Sequence, residues 1–151
     1  MLLTELVTPD RIRLPLSARD KRGVLRELSE VLATSVGGDR DEIRTAVEER
    51  ESVLSTGIGF GVAIPHGRAT SVQALAVVCG VTAVPVPFDA VDGEPVRLVF
   101  MIVGPESAAG QHVKVLSRIA RLVRRESVRD ALLSARDVAA FYSVLAGAEA
   151  Q

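Results

Sequence analysis

Two histidines, His66 and His112, are the side chains in this sequence whose ordinary titration falls near neutral pH, and the first of them follows a segment of unusual composition. Residues 57–67 read Gly-Ile-Gly-Phe-Gly-Val-Ala-Ile-Pro-His-Gly: three alternating glycines, an apolar run, and a proline immediately ahead of His66. Glycine costs backbone entropy and suits places where the chain turns with positive φ or comes close to another group. Pro65 fixes its own φ and biases Ile64 towards extended geometry. The pattern therefore describes a fitted loop that presents His66 from a rigid approach. A neutral imidazole held this way has a free ring nitrogen able to attack phosphorus. Phosphoryl transfer asks for an in-line nucleophile and for donors around the equatorial oxygens. The backbone N–H groups of Gly57, Gly59 and Gly61 and the hydroxyls of Ser55 and Thr56 are candidate donors. Arg50, at the end of an expected helix, is a candidate guanidinium clamp, and His112, at the opening of another, a candidate donor to the same oxygens.

Each of these residues also has an unreactive reading. His66 fits a structural histidine in a glycine-rich turn, Arg50 a solvated helix-end charge, and His112, in a stripe with Leu116 and Ile119, a packing residue. The alternating glycines are a weak pattern by themselves, because a nucleotide fingerprint or a phosphate-binding P-loop also wants a preceding strand and the latter a Lys-Ser/Thr pair, which is missing. Zinc hydrolysis would need a third ligand beside the two histidines, and no carboxylate stands at the HExxH spacing. Serine hydrolysis would need a G-x-S-x-G elbow, which is absent. Arginines between Arg118 and Arg129 are interleaved with Glu126 in a chain of formal net charge -1, so a solvated helix face describes them better than a nucleic-acid patch.

The elements that must position these groups follow from composition and periodicity. At 151 residues, 48% apolar and 25% charged, the chain suits one domain, residues 1–151, that buries roughly two-thirds of its unfolded surface. The single cysteine, Cys79, excludes an internal disulfide and any thiolate zinc site, and it sits in an apolar strand pattern as inert core. No signal peptide or membrane-length apolar run is present, so a soluble, cytoplasmic protein without membrane insertion is expected.

Leu2 to Val7 suggests one helical turn, and Ile12 and Leu14 alternate with arginines as a brief edge strand stopped by Pro15. Ser17 with Asp20 announces a first long helix that Gly37-Gly38 ends, and Asp39 with Glu42 a second, running to about Glu51. Gln73 to Val84 and Val96 to Val103 read as buried strands, with Pro85 and Pro87 making the first irregular beyond that point and Asp92-Gly93 turning between them. From about Gly110 the period is helical, with His112, Val115, Leu116, Ile119, Ala120 and Val123 on one stripe. Ser127 with Asp130 and Ser134 with Asp137 cap two further helices. The order of elements predicts an α+β fold, a three-layer α/β/α sandwich around a central mixed β-sheet.

On these residues the chain resembles the class IIA domains of the bacterial phosphotransferase system, of the fructose, mannitol and nitrogen-regulatory type. The matching stretches are Ser55 to Gly67, Phe88-Asp89-Ala90-x-Asp92-Gly93-Glu94-Pro95-Val96, Leu98-Val99-Phe100, and Gly110-x-His112-x-Lys114-x-Leu116, so the resemblance covers essentially the whole chain. It implies that His66 receives a phosphoryl group from the phosphorylated phosphocarrier protein. It also implies that His66 then passes the group to a IIB component or, in the nitrogen-regulatory type, that its phosphorylation state modulates a regulatory target protein. Arg50 and His112 match positions that surround the phosphohistidine, Thr56 and the glycine loop match its lining, and no cofactor or metal is implied. One departure stands out: Phe60 occupies a position where the family usually carries asparagine, and its ring is a candidate partner-docking element.

Overall fold

The computed structural model describes residues 2–151. The apolar run at 96–103 forms the sheet's central strand, β6 (Val96–Gly104), whose neighbours are an antiparallel β5 (Ala76–Val86) and, on the other side, two short parallel strands, β3 (Val62–Ala63) and β4 (His66–Arg68). Outside β5 lies parallel β1 (Ile12–Leu16), and outside β3 lies antiparallel β2 (Gly57–Gly59), giving the order β1-β5-β6-β3-β2 with β4 also on β6. The sheet is mixed, as the order of elements predicts.

Both faces are covered, which explains why β6 lacks polar alternation. Leu98, Phe100 and Ile102 point into one apolar layer, Val99, Met101 and Val103 into the other. The first layer is closed by α1 (Leu3–Leu6), α4 (Ala109–Val123), α5 (Glu126–Leu133) and α6 (Val138–Glu149); the second by α2 (Lys21–Val36) and α3 (Arg40–Val53). No helix among the described residues is long and apolar enough to cross a membrane.

The structure corrects several boundaries. Pro15 lies inside β1 and Pro85 inside β5. Both are tolerated because β1 is an outer strand and because β5 has lost β1 as its neighbour beyond Thr82, so neither proline removes a needed ladder donor. Ser17 and Ser134 do not cap their helices. The aspartate three residues on does: Asp20 accepts the Gly23 N–H at 2.7 Å and Asp137 the Ala140 N–H at 2.8 Å. A carboxylate at that place satisfies a free N–H and also meets the positive end of the helix dipole. Ser127 falls inside α5, whose N-cap is Arg125. Asp39 caps α3 as expected, accepting from the N–H groups of Asp41 and Glu42.

Candidate functional site

The segment expected to be one fitted loop is three short strands. β2 and β3 make a hairpin across Phe60-Gly61, then the chain breaks at Ile64-Pro65 and resumes beside β6 as β4, opening on His66. The break is pinned from both sides: the Ile64 N–H donates to the Thr56 carbonyl and the Ile102 N–H to the Pro65 carbonyl, each at 3.0 Å. Directions within β4 then follow from strand alternation. Gly67 faces α3, where a Cβ would stand 3.0 Å from the Val47 nitrogen and 3.1 Å from the Ala46 carbonyl carbon. His66 and Arg68 face the other way, towards α4.

There His66 meets His112, with ring centroids 5.1 Å apart and ring planes at 74°. His66 is half-buried, and its Nδ1 lies 3.0 Å from the Ile64 carbonyl oxygen. A carbonyl only accepts, so Nδ1 carries the proton, and in the uncharged form of the ring the lone pair is on Nε2. His112 is buried, in the first turns of α4, and its Nε2 has no hydrogen-bond partner among the described residues. Burial, then the charges of His66 and Arg68, push the His112 imidazole down to about 4. At neutral pH it is an uncharged ring with one donor and one acceptor nitrogen.

Arg68 was missed by the sequence reading. Two residues beyond His66 on a strand, it shares the histidine's face, ion-pairs with Glu106 at 2.6 Å and contributes to the field at His112. Only recognising 66–68 as a strand could have found it, and three residues carry no period.

The remaining expected donors have other partners. Arg50 donates through Nη1 to the Leu54 carbonyl at 2.9 Å and so closes the end of α3; no hydrogen bond joins it to either imidazole among the described residues. The Ser55 hydroxyl donates to the Phe88 carbonyl and its oxygen accepts the Gly57 N–H at 3.0 Å. The Thr56 hydroxyl donates to the buried Glu51 carboxylate. Gly59 and Gly61 take φ of +94° and +74° at the hairpin tip, and a Cβ on Gly57 would stand 2.7 Å from that of Ala90. In the register of β6 the tip lies beside Leu98 and His66 beside Ile102, four residues or about 13 Å away. Gly59 and Gly61 shape the turn, and Gly57 a close packing contact with Ala90. Of the five, only Thr56 adjoins the approach to His66.

Phe60 sits at the same tip with φ +60° and 60% of its surface exposed. Its N–H donates to Asp92, and one ring face carries the Arg129 guanidinium 4.7 Å from the centroid. Arg129 in turn donates to the Val123 and Arg124 carbonyls at the end of α4, so the ring is a contact between hairpin and helices as well as an exposed surface.

Residues 5–148 match the family model described as phosphoenolpyruvate-dependent sugar phosphotransferase system, EIIA 2. The chain is 37% identical over 146 residues to a nitrogen regulatory protein of Bradyrhizobium diazoefficiens, covering 97% of this chain and 95% of that one. It is 38% identical over 146 residues to the fructose-specific EIIABC component of Bacillus subtilis, where 96% of this chain corresponds to 23% of the longer protein. The crystal structure of nitrogen regulatory protein IIA-Ntr from Neisseria meningitidis superposes with a TM-score of 0.89 at 32% identity, over 95% of this chain and 98% of that one. The family model spans nearly the whole chain, and both residues of the imidazole pair lie within its match, so the protein belongs to the EIIA 2 family of the phosphoenolpyruvate-dependent sugar phosphotransferase system.

Proposed function

We propose that this protein is a cytoplasmic phosphoryl carrier that accepts a phosphoryl group on Nε2 of His66 from a phosphohistidine-bearing carrier protein and hands it to a IIB component. The observation that carries this reading is the half-buried imidazole whose Nδ1 is tied to the Ile64 carbonyl, which leaves Nε2 as the free nitrogen, 5.1 Å, ring to ring, from a neutral His112. The Nε2 lone pair forms the new P–N bond, the donor's P–N bond breaks, and its electron pair leaves with the donor imidazole, so no proton need move in the step. Nδ1 keeps its proton on the Ile64 carbonyl, which stabilises the positive charge that grows on the ring. His112 donates to an equatorial oxygen, and Arg68, released from Glu106, neutralises part of the added charge. Arg50 acts at one remove, by fixing the end of α3.

A second reading is favoured by nitrogen regulatory relatives that match along nearly their full length: phosphorylation of His66 alters affinity for a regulatory target, with no sugar transport. In both readings Phe60, at an exposed tip on the same sheet edge, falls within a footprint of the usual 20–30 residues a side. The test is incubation with phosphorylated carrier, followed by addition of a fructose-type IIB domain. Label should appear on the wild type and be absent from His66→Ala with its fold intact; uptake by that variant at the wild-type rate would overturn the assignment. Fast loss of label to IIB supports the carrier reading, and retained label with phosphorylation-dependent capture of a regulatory protein supports the second.

A further inference from the structure

Glu51 is a charged side chain that the mechanism above does not use, yet it is among the few polar residues in the core, 7% exposed at the end of α3. Removing a carboxylate from water is costly, and buried ion pairs are often no more stabilising than apolar side chains of the same volume. Stability alone therefore gives no reason for it, and its hydrogen bonds suggest another. Oε2 accepts from Lys21 Nζ at 3.0 Å and from the Thr56 N–H at 2.8 Å, while Oε1 accepts the Thr56 hydroxyl. Thr56 is thus held twice by one carboxylate. Its carbonyl takes the Ile64 N–H at 3.0 Å, and the Ile64 carbonyl takes the His66 Nδ1–H at 3.0 Å.

We infer that Glu51 is a positioning residue that sets the orientation and tautomer of the His66 imidazole through Thr56 and Ile64. The coupling is positional. At Thr56 and again at Ile64 the bonded N–H and carbonyl belong to different peptide units, so no single amide transmits polarisation along the path. What passes is the placement of atoms: Thr56 fixed at its nitrogen and hydroxyl fixes its carbonyl, which fixes Ile64. Pro65 then restricts Ile64 to extended geometry and leaves its carbonyl one direction, onto the ring. With that acceptor in place Nδ1 must hold the proton and Nε2 the lone pair. The inference rests on the reading of His66 as phosphoryl acceptor for its meaning, but not for its test.

The test is the ring-nitrogen NMR spectrum of His66 in the folded protein, recorded at alkaline pH. The wild type should show the Nδ1–H form. Glu51→Gln keeps the shape but sets an amide N–H₂ against the Thr56 donors or the Lys21 ammonium. It should give a mixture of tautomers and slow phosphoryl uptake roughly tenfold, the scale on which loss of an outer-shell partner is felt. Thr56→Val deletes only the hydroxyl bond, and it should move the same signals the same way by less. A merely structural glutamate would lower the melting temperature and leave the ring signals where they are. Unchanged ring nitrogens in folded Glu51→Gln, or in Thr56→Val where the first variant does not fold, would overturn the inference. If the wild type takes up no phosphoryl group, the functional reading fails instead, and the tautomer measurement still decides the role of Glu51.

Discussion

At the scale of single residues, one face of β4 carries the proposed chemistry: His66 as phosphoryl acceptor and Arg68 as a charge, paired with Glu106, that acts on His112. The Arg68–Glu106 pair is solvent-exposed and worth little to stability, which leaves the guanidinium available for a competing anion. Arg68→Ala should therefore slow phosphoryl uptake by about ten- to a hundredfold, the value of one charge-assisted hydrogen bond, with a melting temperature near that of the wild type. It should also raise the apparent pKa of His112 in an NMR titration, since the arginine's charge helps to depress it. An unmoved His112 titration would show that Arg68 does not act on the site. Phe60 poses a different balance. A left-handed backbone at an aromatic residue costs about 1 kcal/mol, and asparagine adopts it readily. The exposed stack on Arg129 returns about 0.5 kcal/mol. Phe60→Asn should then stabilise the fold by a few tenths of a kcal/mol in urea titration, and weaker carrier binding by the same variant would assign the ring to docking. Asparagine at this position would thus have a backbone reason.

At the scale of elements, α3 is laid directly on β4, and the contact depends on Gly67 having no side chain. Gly67→Ala would push a Cβ against the backbone of Ala46 and Val47, which cannot yield as a side-chain tip can. The expected cost is about 1–3 kcal/mol, with slowed phosphoryl uptake, because β4 and His66 must shift with it. Uptake at the wild-type rate would show that the packing does not govern the site. Long periodic or wholly apolar stretches were legible in the sequence: β6, most of β5, and the stripe of α4 that carries His112 appear where the residues place them. The segment 57–68 was not. Strands of two or three residues show no alternation, and the glycines that signal a turn cannot say whether it encloses a ligand or meets Ala90 and Asp92. Serine-aspartate pairs misled for a related reason: both residue types cap, and only the structure shows that the charged one wins at Asp20 and Asp137. Thr56 and Ser55 were identified by type as donors, but their protons are committed to Glu51 and Phe88, a long-range fact that spacing does not carry.

At the scale of the whole molecule, the burial that places His112 beside His66 also couples stability to acidity. The ordinary value of a histidine is 6.5, and burial, followed by the charges of His66 and Arg68, brings His112 to about 4. Below pH 6.5 the unfolded chain therefore binds a proton at this residue while the folded chain does not. Folding stability falls as pH drops from 6.5 towards 4, by at most about 3 kcal/mol across the window and about 2 kcal/mol by pH 5. Asp10, hydrogen-bonded by Ser35, and Glu42, by the Ser71 N–H, are held below their ordinary values of 3.8 and 4.5, so their stabilisation is lost mainly below those values and leaves the span from pH 7 to pH 5 to His112. Urea unfolding at pH 7, 6 and 5 should show a falling midpoint for the wild type and a flatter profile for His112→Gln, which has no proton to refuse. Parallel profiles would place the acid sensitivity elsewhere. A phosphoryl group on His66 should shrink the slope in the wild type, because a dianion beside His112 favours its protonated form and raises the value that burial has depressed. The acid limb of the stability curve thereby becomes a readout of phosphorylation that needs no partner protein.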